Sequence, residues 1–474
     1  TINTHRVLGC SIYKLQAISL IESIVICLIS YILALFIVND LSYTPIANWV
    51  DADIRLSQYK GLILLTALIA ILTGCLAGLY PAIRSTSYAP ALVLKGSFGL
   101  SPKGKKVRVA LIGFQYTVSI ALIIVTLFMG LQNHFMTSSE QLGFNKDQVA
   151  IVNLTPEIYA KHKPQYIQKL KDYPGIEDVA FSVYELSKED DMIDLEYARH
   201  EDKDVFFKVF YASENFLSVM DIQVEEGRDF TREDLNKAQS DYIINPAAER
   251  DFHLHPGDRF NDRTVLGVSK DFRFNSCRIA SSPFVFALNN DIPNPKLVSY
   301  IRFNSKTNLQ EAVAHVRETL KEIDPTFPFE ISFYNTILNN LYQKEQTLGK
   351  LISLFGIMAI LISIVGVFGL VLFETQYRRK EIGIRKINGA TTGQILLMFN
   401  KTYIRIVSVC FIISIPIAWM GTQQWLENFA YKTPLHLWVF IVAFLIILSV
   451  TIGTVTFRNW QAANENPVNS VKSE

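Results

Sequence analysis

The sequence predicts an α-helical membrane protein with an inserted extracytoplasmic α/β (α+β) domain, six spans in all, arranged as two repeated membrane units. Three observations predict it. Six apolar runs are long enough to cross a bilayer, whose core of about 30 Å takes roughly 20 residues of helix. Charge is segregated: of 45 Lys+Arg and 44 Asp+Glu in 474 residues, 24 and 35 respectively fall within 132–347, net −11, which leaves the remainder at +12. The segment around Gly9 also recurs around Gly389. Half of the chain is hydrophobic and 19% is charged, against about 25% charged in an average soluble chain, so disorder is excluded. A net charge of +1 excludes a nucleic-acid binder that works by bulk charge.

Taken in order, the spans are expected at 15–38, 61–80, 109–131, 348–373, 403–421 and 437–457. Buried helices of a large soluble core are the competing explanation, but six runs almost free of charge are too many for one core. Glu22, near one end of the first run, and Arg405, just inside the fifth, are the exceptions. Glu22 reads as interfacial rather than as a proton site. With few polar residues in the spans, no hydrophilic pore is expected. Link 81–108 carries Arg84, Lys95, Lys103, Lys105, Lys106 and Arg108 with no acid; link 374–402 carries Arg378, Arg379, Lys380, Arg385, Lys386 and Lys401. Links 39–60 and 422–436 are acidic or mixed. Basic links face the cytoplasm. That places 1–14, 81–108, 374–402 and 458–474 inside and 132–347 outside. Gly74 and Gly78 form a G-x-x-x-G in the second span, and Gly366 and Gly369 are similar small positions in the fourth, as close helix packing requires. Pro416 is expected to kink the fifth span and to serve as a hinge.

The repeat pairs residues 4–11 (Thr-His-Arg-Val-Leu-Gly-Cys-Ser) with 384–391 (Ile-Arg-Lys-Ile-Asn-Gly-Ala-Thr), Gly9 falling on Gly389. After each copy come a span, an outer loop, a second span and a tail in which Pro90 matches Pro467. Such duplication is common in transporters. By symmetry the first unit should also have a leading span and an outer domain upstream of Thr1. The chain is therefore expected to be the second half of a longer protein plus the end of its first half.

Residues 132–347 read as an ordinary α/β domain. Strand-like runs include Val149–Leu154, 205–211, 264–268, 284–288 and 298–303. Amphipathic helices fit 164–173 and 309–323, the second capped by Thr307/Asn308 and closed by Asp324-Pro325. Chemistry-bearing patterns are sparse. Cys10, Cys27, Cys75, Cys277 and Cys410 offer neither a disulfide framework nor a paired C-x-x-C. His253 and His255 read as a surface pair beside a turn, and Glu225/Glu226 and Glu189/Asp190/Asp191 as solvated faces. The stretch 99–106 matches G-x-x-x-x-G-K through Gly99, Gly104 and Lys105, but Lys106 stands where a phosphate loop needs Ser or Thr to hold Mg²⁺. It reads as a basic, topology-fixing loop. No catalytic, cofactor-binding or metal-ligating residue is expected.

The most informative segment is 377–391, Tyr-Arg-Arg-Lys-Glu-Ile-Gly-Ile-Arg-Lys-Ile-Asn-Gly-Ala-Thr. On a helix Arg378, Glu381 and Arg385 fall near one face, and Ile382, Ile384 and Ile387 supply apolar anchoring at the interface. By charge alone it is equally an anchor that fixes topology or a short helix that a cytosolic partner can push. The block Arg378–Ala390 resembles the R-x-x-E-I-G-I-R-[KR]-x-x-G-A signature of the FtsX-like, MacB-like permease family of ABC transporters, with Asn388 where the family usually has Leu or Met. Residues 466–472 resemble the family's closing A-x-N-P-V-x-x-L-[KR]. Residues 213–222, 226–230 and 265–272 resemble, more loosely, its periplasmic core domain.

The resemblance covers nearly the whole chain and implies a membrane subunit that couples ATP hydrolysis by a separate cytosolic ABC ATPase dimer to motion of the periplasmic domain, for export of drugs, peptides or lipoproteins. It implies a coupling helix at 378–397, docking through Arg378, Arg379, Lys380, Glu381, Ile382, Gly383, Arg385, Lys386 and Gly389. A decayed copy lies near 4–15, where His5 and Arg6 stand for Arg385 and Lys386 and Gly9 for Gly389. The double-length form resembles Bacteroidetes-type permeases. ATP and Mg would be used by the ATPase partner. Membrane lipids, a periplasmic adaptor, an outer-membrane channel or a cell-wall hydrolase are the other partners it implies, in a bacterial inner membrane. The alternative is an ATP-driven signalling or scaffold protein that switches such a hydrolase and carries nothing.

Overall fold

The computed structural model describes residues 10–44, 56–86, 102–138, 142–187, 194–237, 239–273, 276–288 and 297–463. Helices α1 (Ile12–Leu41), α2 (Lys60–Thr86) and α3 (Pro102–Thr137) come first. They lead into β1 (Val149–Leu154), α4 (Pro156–Lys171), β2 (Ile176–Ser182), the hairpin β3 (Asp194–His200) and β4 (Lys203–Ala212), α5 (Phe216–Met220), β5 (Val224–Gly227) and β6 (Tyr242–Ile244). Then follow α6 (Pro246–Phe252), β7 (Arg259–Phe260), β8 (Arg263–Ser269), β9 (Phe284–Leu288), β10 (Leu297–Phe303), α7 (Leu309–Ile323), β11 (Ile331–Phe333) and α8 (Tyr334–Leu341). The chain continues through α9 (Gln343–Tyr377), α10 (Arg379–Ile387), α11 (Thr392–Leu426) and α12 (Leu437–Ala463). The first-copy residues His5, Arg6 and Gly9, the tails with Pro90 and Pro467, and Glu189, Asp190, Asp191 and Gly99 lie outside the described residues.

Two compact units result. The first comprises 1–127, 347–420 and 436–474; the second comprises 128–346 and 421–435. Among the described residues six helices are long and apolar enough to cross a membrane: Ile12–Leu41, Lys60–Leu79, Val109–Thr137, Gln343–Thr375, Thr392–Leu426 and Leu437–Trp460. Along α1, Ile18, Ile26, Leu33 and Phe36 are each more than half exposed. In water such exposure would forfeit about 1.5–3 kcal/mol per side chain, whereas lipid imposes no such penalty. This is a multi-pass membrane protein.

Inside the helical unit α1 and α2 pack through small residues. A Cβ built on Gly74 would lie 2.9 Å from the Ile24 Cα, and one on Gly78 2.8 Å from the Ser23 Cβ. The Tyr31 hydroxyl donates to the Ile63 carbonyl at 2.6 Å. A Cβ on Gly366 would reach 3.1 Å from Gln115 Oε1, whereas one on Gly369 meets nothing within 4 Å. Pro416 lies inside α11 and removes the amide that would bond the Ile412 carbonyl. The spans hold more polar residues than their hydropathy suggests, and these pair across helices. Ser119 and Ser363 are 3.0 Å apart. Thr451 donates to the Tyr116 hydroxyl at 2.9 Å, Thr375 to Asn459 Oδ1 at 2.7 Å, and Asn400 Nδ2 to Thr456 at 2.9 Å. In hydrocarbon a donor without such a partner is costly, because no water is there to take its place; among the described residues the buried Gln115 Nε2 and Thr126 Oγ1 lack a hydrogen-bond partner.

The second unit is built on one sheet of order β11-β1-β10-β2-β4-β9-β6-β8-β5, with β3 on β4 and β7 on β8. The β4–β9 and β6–β8 pairs are parallel and the others antiparallel. Alternation along β2 divides the core: Val179 and Phe181 join the cluster under α4 and α7, with Tyr166, Leu170, Val316 and Leu320, while Ala180 joins Phe210, Phe216, Phe284, Phe286 and Tyr300. Asn308 caps α7 by accepting from the Gln310 amide, and Asn245 caps α6 by accepting from that of Ala248. The helix expected at 164–173 instead starts at Pro156. Thr155 caps it, Pro156 occupies the first turn, and Pro164 is accommodated inside. Strand β2 escapes sequence reading because Glu177 and Asp178 interrupt its apolar pattern, and β6 and β11 because each has only three residues.

Segment 421–435, read from sequence as a simple outer link, belongs to this second unit. The Gln132 side chain, fully buried, donates from Nε2 to the Tyr431 carbonyl at 3.0 Å and accepts from the Thr433 amide at 2.8 Å. Arg273 stacks 4.1 Å from the Tyr431 ring centroid and Arg278 4.9 Å from that of Phe429. Arg278 Nε also bonds Glu345 at 2.8 Å. Cys277 is buried there beside Tyr342, and burial pushes its thiol up.

The motif at 226–230 has a structural meaning. Gly227 has φ +79°, and a Cβ on it would sit 2.2 Å from the Leu266 carbonyl oxygen. Arg228 then pairs both nitrogens with Asp234 at 2.7 and 2.9 Å. The Arg228 guanidinium, the Thr231 hydroxyl and amide, and Lys237 together hold the Asp234 carboxyl well below its ordinary value of 3.8, against the opposing effect of burial.

Two outcomes are expected. Gly74→Val should cost about 1–3 kcal/mol through overpacking against α1, seen as a lower unfolding temperature in detergent, while Gly61→Val, which meets nothing within 4 Å, should leave it unchanged. Because the folded pKa of Asp234 is depressed, its contribution is complete above the unfolded value and is lost as pH falls towards the folded one. Asp234→Asn should therefore destabilise the full chain at neutral pH by about 1–3 kcal/mol, with the deficit shrinking below about pH 4. An equal deficit at both pH values would show that the ion pair is not its source.

Candidate functional site

The segment 374–403 turns the chain between α9 and α11. Helix α9 ends at Tyr377, and α10 begins at Arg379. Between them Arg378 has φ −92° and ψ 10°. Backbone bonding nevertheless runs through the joint, from the Arg378 amide to the Glu374 carbonyl at 3.0 Å and from the Ile382 amide to the Arg378 carbonyl at 2.9 Å. The expected single helix over 378–397 is two. α10 stops at Ile387 because Gly389 takes φ +86°. The Ala390 amide bonds the Arg385 carbonyl at 2.9 Å and the Gly389 amide the Lys386 carbonyl at 3.0 Å, which satisfies the last turn. Thr391 and Gln394 then form a reciprocal cap that starts α11. The Thr391 amide donates to Gln394 Oε1 at 3.1 Å, and the Gln394 amide to Thr391 Oγ1 at 3.4 Å. α11 is one helix of 35 residues that continues into the fifth span.

The side chains named from sequence separate into two groups. Facing inward are Ile382, 4% exposed, and Gly383, also buried. Exposed are Ile384, Ile387, Arg385 and Gly389, with Lys386 half-buried. Ile384 and Ile387 thus share an open face and Ile382 does not. Arg385 bonds Glu381 at 2.9 Å along the helix. Arg378 is drawn inward: it reaches Glu374 at 3.4 Å and Glu381 at 4.0 Å. The side chains of Arg379 and Lys380 lie outside the described residues.

Sequence reading missed Glu374 and Tyr403. Glu374 was assigned to the basic link, but it is buried within α9 and accepts from the Tyr403 hydroxyl at 3.2 Å. Its spacing of four before Arg378 was the available signal. In the α/β unit Glu226, Glu249 and His255 approach one another on an exposed surface, where His255 Nδ1 lies 3.5 Å from Glu249. His253 is not part of the group; it caps α6 at φ 52°.

Residues 353–467 match the family model described as FtsX-like permease C-terminal. The chain is similar to the macrolide export ATP-binding/permease protein MacB of Aggregatibacter actinomycetemcomitans, 25% identical over 212 residues that cover 42% of this chain and 32% of that protein. It is likewise similar to MacB of Neisseria gonorrhoeae, 25% identical over 223 residues, 44% of this chain and 34% of that protein. The chain thus spans about a third of the length of these relatives. Among solved structures, the periplasmic region of MacB from Actinobacillus actinomycetemcomitans matches with a TM-score of 0.31 at 15% identity, covering 42% of this chain and 94% of that one. The extracellular domain of the transporter YknZ matches with a TM-score of 0.29 at 15% identity, covering 39% and 99%.

A Cβ on Gly389 meets nothing within 4 Å, so its role is conformational. Gly389→Ala should destabilise the α10–α11 turn by about 1–2 kcal/mol and speed amide exchange there. Gly393→Ala, equally unobstructed and helical, should not.

Proposed function

We propose that this chain, which belongs to the FtsX-like permease family, is the membrane subunit of an ABC transporter and passes ATP-driven motion from a separate cytosolic ATPase dimer to its α/β unit. The observation that carries this reading is α10: a short helix between two spans, inside the family match, with Ile384, Ile387 and Arg385 open to a partner. An apolar pair flanking a cation suits a groove with an acidic lip. Glu381, Arg385 and Gly389 are the docking residues. The excess of Lys and Arg on this side of the spans supports a cytoplasmic location, and with it an α/β unit outside a bacterial inner membrane. ATP and Mg act on the partner, and this chain binds neither. The work done outside is export of a drug, peptide or lipoprotein. Several polar side chains of the spans pair with one another, which supports transmitted motion better than a hydrophilic pore.

Replacing Glu381 and Arg385 together with Ala should abolish co-purification of a P-loop ATPase from native membranes, and with it substrate-stimulated ATP hydrolysis, without loss of expression. Transport that survives the double replacement would falsify the docking assignment. Recovery of a cell-wall hydrolase in place of any ATPase would replace the transport reading with the signalling one.

A further inference from the structure

We infer that Glu374, Arg378 and Tyr403 form an internal clamp that sets the angle of α10, and that Arg378 is a positioning residue and not a docking one. The joint at Arg378 is irregular, because its φ of −92° and ψ of 10° leave helical geometry. Two backbone bonds cross it, from the Arg378 amide to the Glu374 carbonyl and from the Ile382 amide to the Arg378 carbonyl. Fixing α10 at such a joint takes a side-chain brace as well.

The clamp supplies it. The Glu374 side chain is 8% exposed, at the end of a membrane span, where an unpaired carboxylate is costly. One oxygen accepts from Arg378 Nη2 at 3.4 Å and the other from the Tyr403 hydroxyl at 3.2 Å. Tyr403 is 1% exposed, and Phe399, one turn before it on α11, is 3% exposed. The Arg378 guanidinium lies 5.8 Å from the Phe399 ring centroid and reaches on towards Glu381 of α10 at 4.0 Å. One cation thus touches α9, α10 and α11. Beside the carboxylate is a cavity of about 20 Å³, lined by Val109, Leu370, Phe373, Thr402, Tyr403 and Ile406, room for a single water and no more. The mostly apolar lining leaves Glu374 dependent on its protein partners, so weakening one contact loosens the whole node.

The test uses the full chain in lipid nanodiscs, with amide exchange followed by mass spectrometry. Tyr403→Phe removes one hydroxyl and keeps the ring, so the fold is retained. It should speed exchange over 379–388 roughly tenfold, as loss of one hydrogen bond to a charged group does, while the amides of α12 stay unchanged. Arg378→Gln should do the same, and the two together should add little, because both act through one carboxylate. Unaltered exchange over 379–388, equal acceleration throughout the chain, or full additivity would each overturn the clamp. Its bearing on coupling rests on the permease reading above. With the partner ATPase present, Arg378→Gln should still capture it, whereas Arg385→Ala should not. Loss of capture by Arg378→Gln with normal exchange would make Arg378 a docking residue after all. Capture indifferent to both positions would sink the permease docking assignment and leave the exchange result standing.

Discussion

Hydrocarbon offers no hydrogen-bond partner, and much of the helical unit follows from that. Several polar side chains in the spans are answered by one another: Ser119 by Ser363, Tyr116 by Thr451, Thr375 by Asn459. These pairs tie α3, α9 and α12 together at fixed heights, since a serine meets a serine at only one register. Glu374 is the extreme case, a carboxylate near the edge of the membrane whose requirements are met by a hinge residue and a tyrosine on the next helix. A steric constraint puts the glycines of α2 where they are, because backbones that approach as closely as at Gly74 and Ile24 leave no room for a side chain.

The α/β unit obeys a different solvent. Its core is ordinary, with aromatic residues from β4, β9 and β10 packed on one face of the sheet and two amphipathic helices on the other. What sets it apart is its third connection to the membrane helices. Beyond the entry through α3 and the exit through α9, segment 421–435 between α11 and α12 lies in this unit, held by both ends of the Gln132 amide and by two arginines stacked on Tyr431 and Phe429.

Legibility followed the range of the interaction. The spans, the strands 284–288 and 298–303 and the capped helix 309–323 were readable because runs, alternation and caps are local signals. The break of the interfacial helix at Asn388 was latent in Gly389, Thr391 and Gln394, all local, yet it was read through as one element. Short edge strands such as β6 and β11 exist only because neighbours complete them. The matches at 213–222, 226–230 and 265–272 were visible as patterns, but their meaning was not. Gly227 is demanded by the Leu266 carbonyl, and Asn215 by Asp178 and the Val179 carbonyl, partners far away in the chain.

By itself the sequence determined six helices long and apolar enough to cross a membrane, an acidic α/β unit inserted among them, and two basic segments between spans, one of them at 374–402. Those are consequences of composition and period, which no partner can change. The tertiary structure decided which charges in that segment face out and which face in. Arg378 and Arg385 are the same residue type seven positions apart, and neither hydropathy nor helical phase separates them. Arg378 is drawn towards the buried Glu374 carboxylate, which Tyr403 of α11 also holds, while Arg385, bonded to Glu381, stays at the surface.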